Sequence, residues 1–291
     1  MSETPILVGA AQLEQRIDDP ATAREPIELM IDAVRLAAED TGAPGLLGQA
    51  DSVRVIRGIW SYQNPARAVA EAVGCPGAET ALTPFGGNFV QTVVNQSALD
   101  IQRGDRDIVV ITGAECGNTQ AKARRAGLEL DWQTLPGTPD RMFGEDKDMS
   151  HEAEKALRIR APIQIYPMFE NALRYHRGES IDEHLQRISE LWAGFSRVAA
   201  GNPHAWLREP RTAEEIRTIS AQNRPVSFPY PKLMNSNNNV DQGAALIMCS
   251  ERRARALGIP EDKWIYPWAG TDAHDHYFVS NRDNFYSSPA I

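Results

Sequence analysis

Cysteine is scarce and scattered in this chain. Only Cys75, Cys116 and Cys249 occur in 291 residues, with no C-x-x-C pair. That excludes a disulfide framework or a zinc knuckle and implies a reducing cytoplasm. No stretch approaches the roughly 18 apolar residues that a membrane-spanning helix needs. The opening Met1-Ser2-Glu3-Thr4-Pro5 lacks a basic start, and the apolar run Ile6 to Ala11 is too short for a signal-peptide core. Positive charge is in deficit, with 30 Lys and Arg against 39 Asp and Glu and a net charge of −9. A nucleic-acid partner calls for the opposite balance. The one basic cluster, Lys122-Ala123-Arg124-Arg125, reads as a solvated helix face.

Several catalytic signatures are missing as well. There is no G-x-G-x-x-G, P-loop or G-x-S-x-G. His151-Glu152 begins no zinc-protease motif, because Lys155 stands at the fifth position. Asn235 to Gly243 fails as a calcium loop, since Val240 sits where the sharp turn requires glycine.

What is present is ordinary globular material, 42% hydrophobic and 24% charged, with length for a substantial core. Pro5 to Ala11 reads as a buried strand. Pro26 then opens a helix carrying Ile27, Met30, Ile31, Val34 and Ala37 on one face, closed at Thr41-Gly42. Asp51 to Gly58 alternates Val53 and Val55 with Arg54 and Arg57, which predicts a strand with one wetter face, and Ala66 to Gly74 a short helix. Thr83-Pro84-Phe85-Gly86-Gly87-Asn88 is a glycine turn feeding an inward-buried helix of Phe89, Val90, Val93, Val94, Ala98 and Ile101. Gly104 stops that helix before the strand Ile108 to Thr112, which runs on into Gly113-Ala114-Glu115. Strands that alternate with helices and read as unbroken apolar runs predict an α/β fold with a mostly parallel sheet covered on both sides.

From Asn118 to about Pro229 the aliphatic runs vanish, and helical segments such as Ala161–Gly178 and Ile181–Ala200 appear among Pro, Trp, His and charge. The sheet resumes at Gly243 to Ser250. A short helix Glu251 to Leu257 follows, and Trp264 to Gly270 is expected as a last strand.

These segments, in this order, resemble the N-terminal half of the thiolase superfamily, in the branch of the sterol-carrier-protein thiolases. Pro5-Ile6-Leu7-Val8-Gly9 is similar to the opening strand, and Gly86 to Glu115 to the nucleophile helix with its following strand. Tyr175-His176-Arg177-Gly178 through Asn202-Pro203-His204-Ala205 is similar to the loop domain. Asn235 to Ala245 is similar to the Asp-Gly-Ala-Ala strand entry, with Gln242 inserted between Asp241 and Gly243. The resemblance implies a thiolase-like α/β domain at 1–117 and 236–270, a helical loop-domain insertion at 118–235, and at 271–291 the start of an absent C-terminal half. That half then lies on another polypeptide, was lost by truncation, or is not needed. A half-fold leaves bare the sheet face and helix that the other half covers, and exposed apolar surface signals a partner, either a second copy in a homo-oligomer or a chain carrying the missing half.

The family's acyl transfer uses a thiolate at a helix N-terminus. Gly86 occupies that position here, so no catalytic residue is assigned. What the resemblance retains is a donor turn, Gly86, Gly87 and Asn88, able to face a thioester carbonyl. Tyr166 and Met168, within Tyr166-Pro167-Met168-Phe169-Glu170-Asn171, fall where thiolases line the acyl pocket, and His204 stands near it. The competing readings are helix-start packing for the first group and a solvated imidazole on an Asn-Pro turn for His204. Cys116 is a displaced nucleophile or a structural thiol. Asp272-Ala273-His274-Asp275-His276 is a metal cluster or a polar surface loop, and no metal is expected. The implied activity is acyl-CoA carbon–carbon chemistry, with acyl-CoA or CoA as ligand and no further cofactor. The alternative is a non-catalytic binding or scaffold subunit.

Overall fold

The computed structural model describes residues 3–289. Met1 and Ser2 of the opening, and Ala290 and Ile291 of the expected second-half segment, lie outside them. Strand and helix alternate through β1 (Pro5–Glu14), α1 (Pro26–Asp40), β2 (Ser52–Arg57), α2 (Pro65–Ala72), β3 (Glu79–Phe85), α3 (Val90–Arg103) and β4 (Ile108–Cys116). Then come α4 (Gly117–Ala126), β5 (Arg141–Met142), α5 (Glu152–Ala156), α6 (Pro162–Arg177), α7 (Ile181–Ala200) and α8 (Ala213–Arg217). The short strands β6 (Pro225–Ser227) and β7 (Tyr230–Pro231) precede β8 (Asp241–Ser250) and α9 (Glu251–Leu257).

Two compact units result: Met1–Asp146 with Asn238–Asp272, and Lys147–Asn237 with Ala273–Ile291. Residues 118–146, grouped by composition with the helical segment, pack in the sheet unit. Their strand β5 pairs with β3, and Asp140 accepts from the Thr80 N–H at 2.8 Å and the Thr80 hydroxyl at 2.7 Å. Polar side chains that serve as edge fasteners look like loop in a sequence.

The six-stranded sheet has the order β1-β8-β4-β2-β3-β5. β4, β2, β3 and β5 run parallel, while β8 pairs antiparallel with both β1 and β4. Alternate residues serve opposite faces. Ile6, Val8, Val53, Val55, Val110 and Ile247 point into the larger core under α1 and α2. Ala81, Val109, Ile111 and Met248 point the other way, to Val93 and Ile101 of α3. α1 lies close because the sheet offers it glycine: a side chain at Gly9 would strike the Ala37 carbonyl, and one at Gly243 the Leu29 carbonyl.

Three expectations change. Arg54, predicted on a wetter face, is wholly buried beneath α3. Its guanidinium meets Asp100 Oδ2 at 2.5 Å and Ser97 Oγ at 3.0 Å, and Arg141 reaches the same Asp100 oxygen at 2.6 Å. The Phe143 ring lies 5.2 Å from the Arg54 guanidinium carbon and 4.6 Å from that of Arg141. Burial alone would raise the Asp100 carboxyl, but the two guanidiniums win and hold it below the usual range. Alternation reports which face a residue is on and is silent on what covers that face.

The second change is at Trp264 to Gly270, which forms no strand. Leu7 and Ile265 exchange both backbone hydrogen bonds at 2.9 Å, and the pairing goes no further. Pro267 two residues on has no N–H to extend the ladder, and Trp268 stands 96% exposed. The third is α3, expected to be buried inward. It buries one side only, through Val93, Ser97, Asp100 and Ile101. Val90 and Leu99 are exposed, as is Phe85 just ahead of the turn.

In the second unit α7 starts at a reciprocal cap between Ser180 and Glu183. Ile188 and Ala193 of α7 bury against Ile216 of α8 and Met234. No helix among the described residues is long and apolar enough to cross a membrane.

Candidate functional site

The parallel strands β2, β3 and β4 end together, at Arg57, Phe85 and Cys116. Gly86 follows β3 with φ +132°, a conformation that side chains rarely adopt, and its N–H donates to the Arg57 carbonyl at 3.3 Å. Asp146 fixes the approach: Oδ1 accepts from the Phe85 N–H at 3.0 Å and Oδ2 pairs with Arg57 at 2.5 Å. Gly87 and Asn88 then begin a short 3₁₀ turn that runs into α3. Both are exposed, and the space beside Gly87 is open. As the first residues of the turn, their N–H groups have no upstream carbonyl to bond, so they point out as donors at a positive helix end. The Asn88 side-chain oxygen fills the space where a Gly86 side chain would stand.

At the end of β4, with β2 between it and the strand that leads into the turn, Glu115 accepts from the Ile59 N–H at 2.7 Å. Burial pushes its carboxyl up from the ordinary value. Cys116 is no displaced nucleophile. It is completely buried, burial drives its thiol far above the range in which a thiolate forms, and its Sγ lies 3.6 Å from the Arg24 carbonyl. Asp241 caps α4, accepting from the Thr119 N–H at 3.0 Å and hydroxyl at 2.8 Å. The extra Gln242 is absorbed without a bulge, opposite Glu115 on one side and Glu14 on the other.

Tyr166, Met168 and His204 belong to the second unit. Tyr166 is exposed and lines a cavity of about 410 Å³ with Phe169, Glu170, Tyr230, Arg282 and Phe285. Met168 is half-buried and does not line it. His204 is exposed, and its N–H donates to Asn202 Oδ1 at 3.0 Å, which is the turn-stabilising arrangement. The Asp272 to His276 stretch gathers no metal site: among the described residues no three metal-binding side chains come together. Asp272 instead accepts from Thr92 at 2.6 Å, while Asp275 pairs with Arg282 at 3.5 Å.

Sequence reasoning missed the buried cluster behind the cavity. His184, 1% exposed, has Nδ1 2.7 Å from Glu179 Oε2 and Nε2 2.9 Å from Glu170 Oε1. Glu170 also accepts from the Tyr230 hydroxyl. These residues lie on different elements of the second unit, so no spacing rule joins them. Hydrogen bonds from Arg187, Arg177 and His184 lower the Glu179 carboxyl from 4.5 to about 2. A depressed carboxyl stabilises the fold above its unfolded value and ceases to do so as pH falls through the folded one. The Glu179 contribution is therefore complete above pH 4.5 and fades toward pH 2. Glu179→Gln is expected to flatten the acid side of the stability profile in that window, as read by urea unfolding at stepped pH. An unchanged profile would show that the carboxylate is not coupled to folding.

The strand-end turn, the helix it feeds and the β8 return are those of a thiolase-like α/β fold. No family model matches the chain, and no curated protein does. Among solved structures it is similar to a monomeric SCP2-thiolase-like protein type 1 (STLP1) from Mycobacterium smegmatis. The identity is 32% and the TM-score 0.76, over 99% of this chain and 54% of that one. It shares its fold with an Ltp2-ChsH2(DUF35) aldolase, at 19% identity and TM-score 0.70, over 99% of this chain and 66% of that one. The same holds for human mitochondrial 3-ketoacyl-CoA thiolase in complex with CoA, at 16% and 0.53, over 89% and 67%. The chain belongs to the thiolase superfamily, in its SCP2-thiolase-like branch. It spans about half the length of the SCP2-thiolase-like protein.

Proposed function

We propose that this chain binds an acyl-CoA or a related thioester without forming an acyl-enzyme, as one part of a fuller thiolase-like assembly. The observation that carries this reading is the Gly86-Gly87-Asn88 turn: Gly87 and Asn88 stand exposed at its start, the expected Gly86 donor is instead spent on the Arg57 carbonyl, and no sulfur stands where an acyl group would be taken. One neighbour of like fold is described in complex with CoA, and another as an aldolase joined to a DUF35 chain. The first supports binding of a CoA thioester and the second a partner chain. The partner, a chain with the complementary thiolase-like half, covers the bare side of α3. A groove of about 500 Å³ runs there between Ala98 and Leu99 of α3 and the Tyr266 and Trp268 segment. Within the second unit, the Tyr166 cavity has aromatic walls that suit an apolar group. Three unpaired, buried cysteines agree with a reducing, cytoplasmic setting.

Isothermal calorimetry of the folded chain with CoA, acetyl-CoA and a medium-chain acyl-CoA tests the reading. Heat is expected with the acyl thioesters, and Asn88→Pro, which deletes one donor N–H, is expected to weaken it about tenfold, the scale of one hydrogen bond. Silence with all three ligands would overturn thioester binding. It would leave a non-catalytic subunit, the reading that the exposed apolar side of α3 favours.

A further inference from the structure

The cavity of the second unit has a polar corner whose chemistry is more specific than acyl binding. Its walls are largely aromatic: Tyr166 and Phe169 stack at 6.5 Å, and Phe169 meets Phe285 edge-on at 5.5 Å. Flat walls of this kind suit a ring better than a flexible chain. At the corner, Tyr230 donates its hydroxyl hydrogen to Glu170 Oε2, so its oxygen is left as an acceptor. Glu170 is likewise an acceptor when ionised. Burial, together with the Glu170 charge, pushes the Tyr230 phenol up, so it keeps its hydrogen. A corner made of acceptors is complementary to a donor.

Behind the corner the chain of contacts continues. Glu170 Oε1 lies 2.9 Å from His184 Nε2, but the angle is too poor for a hydrogen bond and the nitrogen is left without a partner. On the far side of the ring, Nδ1 donates to Glu179 Oε2 at 2.7 Å. Arg187 and Arg177 hold Glu179 at 2.8 and 2.7 Å, and Arg174 binds the Glu179 carbonyl at 3.0 Å. Glu179 is thus fixed from several directions, while Glu170 has one oxygen on Tyr230 and the other misaligned.

We infer that Tyr230, Glu170 and His184 form a hydrogen-bond relay that recognises a hydroxyl-bearing ring in this cavity and transmits its arrival to the buried imidazole. The identification of that ring as part of an acyl group rests on the thioester reading above; the relay itself does not. The ligand hydroxyl donates to the Tyr230 oxygen, Tyr230 keeps its own bond to Glu170, and Glu170 turns to straighten its contact with His184 Nε2. No bond is made or broken.

The test uses the full chain with isotope-labelled histidine and two small probes, p-cresol and toluene, which differ by the hydroxyl. Imidazole spectra are recorded with and without each probe at one fixed pH. p-Cresol is expected to shift the His184 signals and toluene to leave them in place. Tyr230→Phe is expected to weaken p-cresol about tenfold, the worth of one hydrogen bond, and to abolish the His184 response. Glu170→Gln serves as a second variant, and the wild-type comparison of the two probes needs no variant. p-Cresol binding that leaves His184 unmoved overturns the relay, and so does the absence of p-cresol binding. If acyl-CoA binds while His184 is silent to p-cresol, the thioester reading stands and the relay falls. If p-cresol moves His184 while every CoA thioester is silent, the relay stands and the thioester reading falls.

Discussion

Asp100→Ala is expected to lower the unfolding free energy by about 3–5 kcal/mol, the cost of leaving a buried charge unpaired. The guanidinium so stranded is that of Arg54, which has no access to solvent and would keep Ser97 and Ser52 as neutral partners, with the Glu79 carboxylate no nearer than 3.9 Å. Arg141 would lose the same carboxylate, although its side chain is 32% exposed and can turn to water. Arg54 cannot turn. Urea unfolding of the wild type and the variant measures the loss. Should Asp100→Ala fail to fold, Asp100→Asn keeps the shape and removes the charge, and is expected to lose less. The double replacement Arg54→Met with Asp100→Leu should recover most of the stability, because apolar residues of similar volume commonly substitute for a buried pair without cost. A loss below about 1 kcal/mol for Asp100→Ala, the size of an exposed pair, would show that the network is wetter than its burial implies.

Gly86→Cys is the second large effect. It replaces the missing sulfur, yet it is expected to cost about 1–3 kcal/mol, the usual charge for a non-glycine residue held at a disfavoured backbone angle. The φ of +132° is one source of strain, and the other is the Asn88 side-chain oxygen lying where the new Cβ must go. The thiol therefore displaces Asn88 from the turn instead of settling beside the donors. Intact mass spectrometry after incubation with acetyl-CoA is expected to show no acetyl adduct. An adduct together with unchanged stability would mean that the turn relaxes readily into a nucleophile-ready shape, and that only the sulfur separates this chain from acyl transfer.

Much of the sheet unit was legible because its signals are local. Pro26 and Gly42 bracket α1, Gly104 ends α3 in the left-handed conformation, and β8 carries an unbroken apolar run from Gly243 to Cys249. The turn at Gly86 was legible for the same reason. Other features depended on facts that lie far apart in the chain. Arg54 looked solvated until Asp100 and Arg141 came to meet it, and the segment of Trp264 looked like a strand until its pairing stopped at Ile265. The Tyr230–Glu170–His184–Glu179 cluster was invisible, because each residue is unremarkable in its own element and only packing brings the four together. Local rules find elements; coupled side chains need the fold.

The position of β8 constrains how the molecule comes into being. It lies between β1 and β4 and pairs with both, yet it is synthesised only after residues 147–237, the larger part of the second unit. Until residue 241 and its successors leave the ribosome, β1 has nothing to join and α1 has no Gly243 to rest on. The nascent sheet waits with β1 cut off from β4, and pairing across so long a separation in sequence is slow. Any N-terminal fragment that ends before β8 is therefore expected to be captured by chaperones or to aggregate, however complete its own helices are.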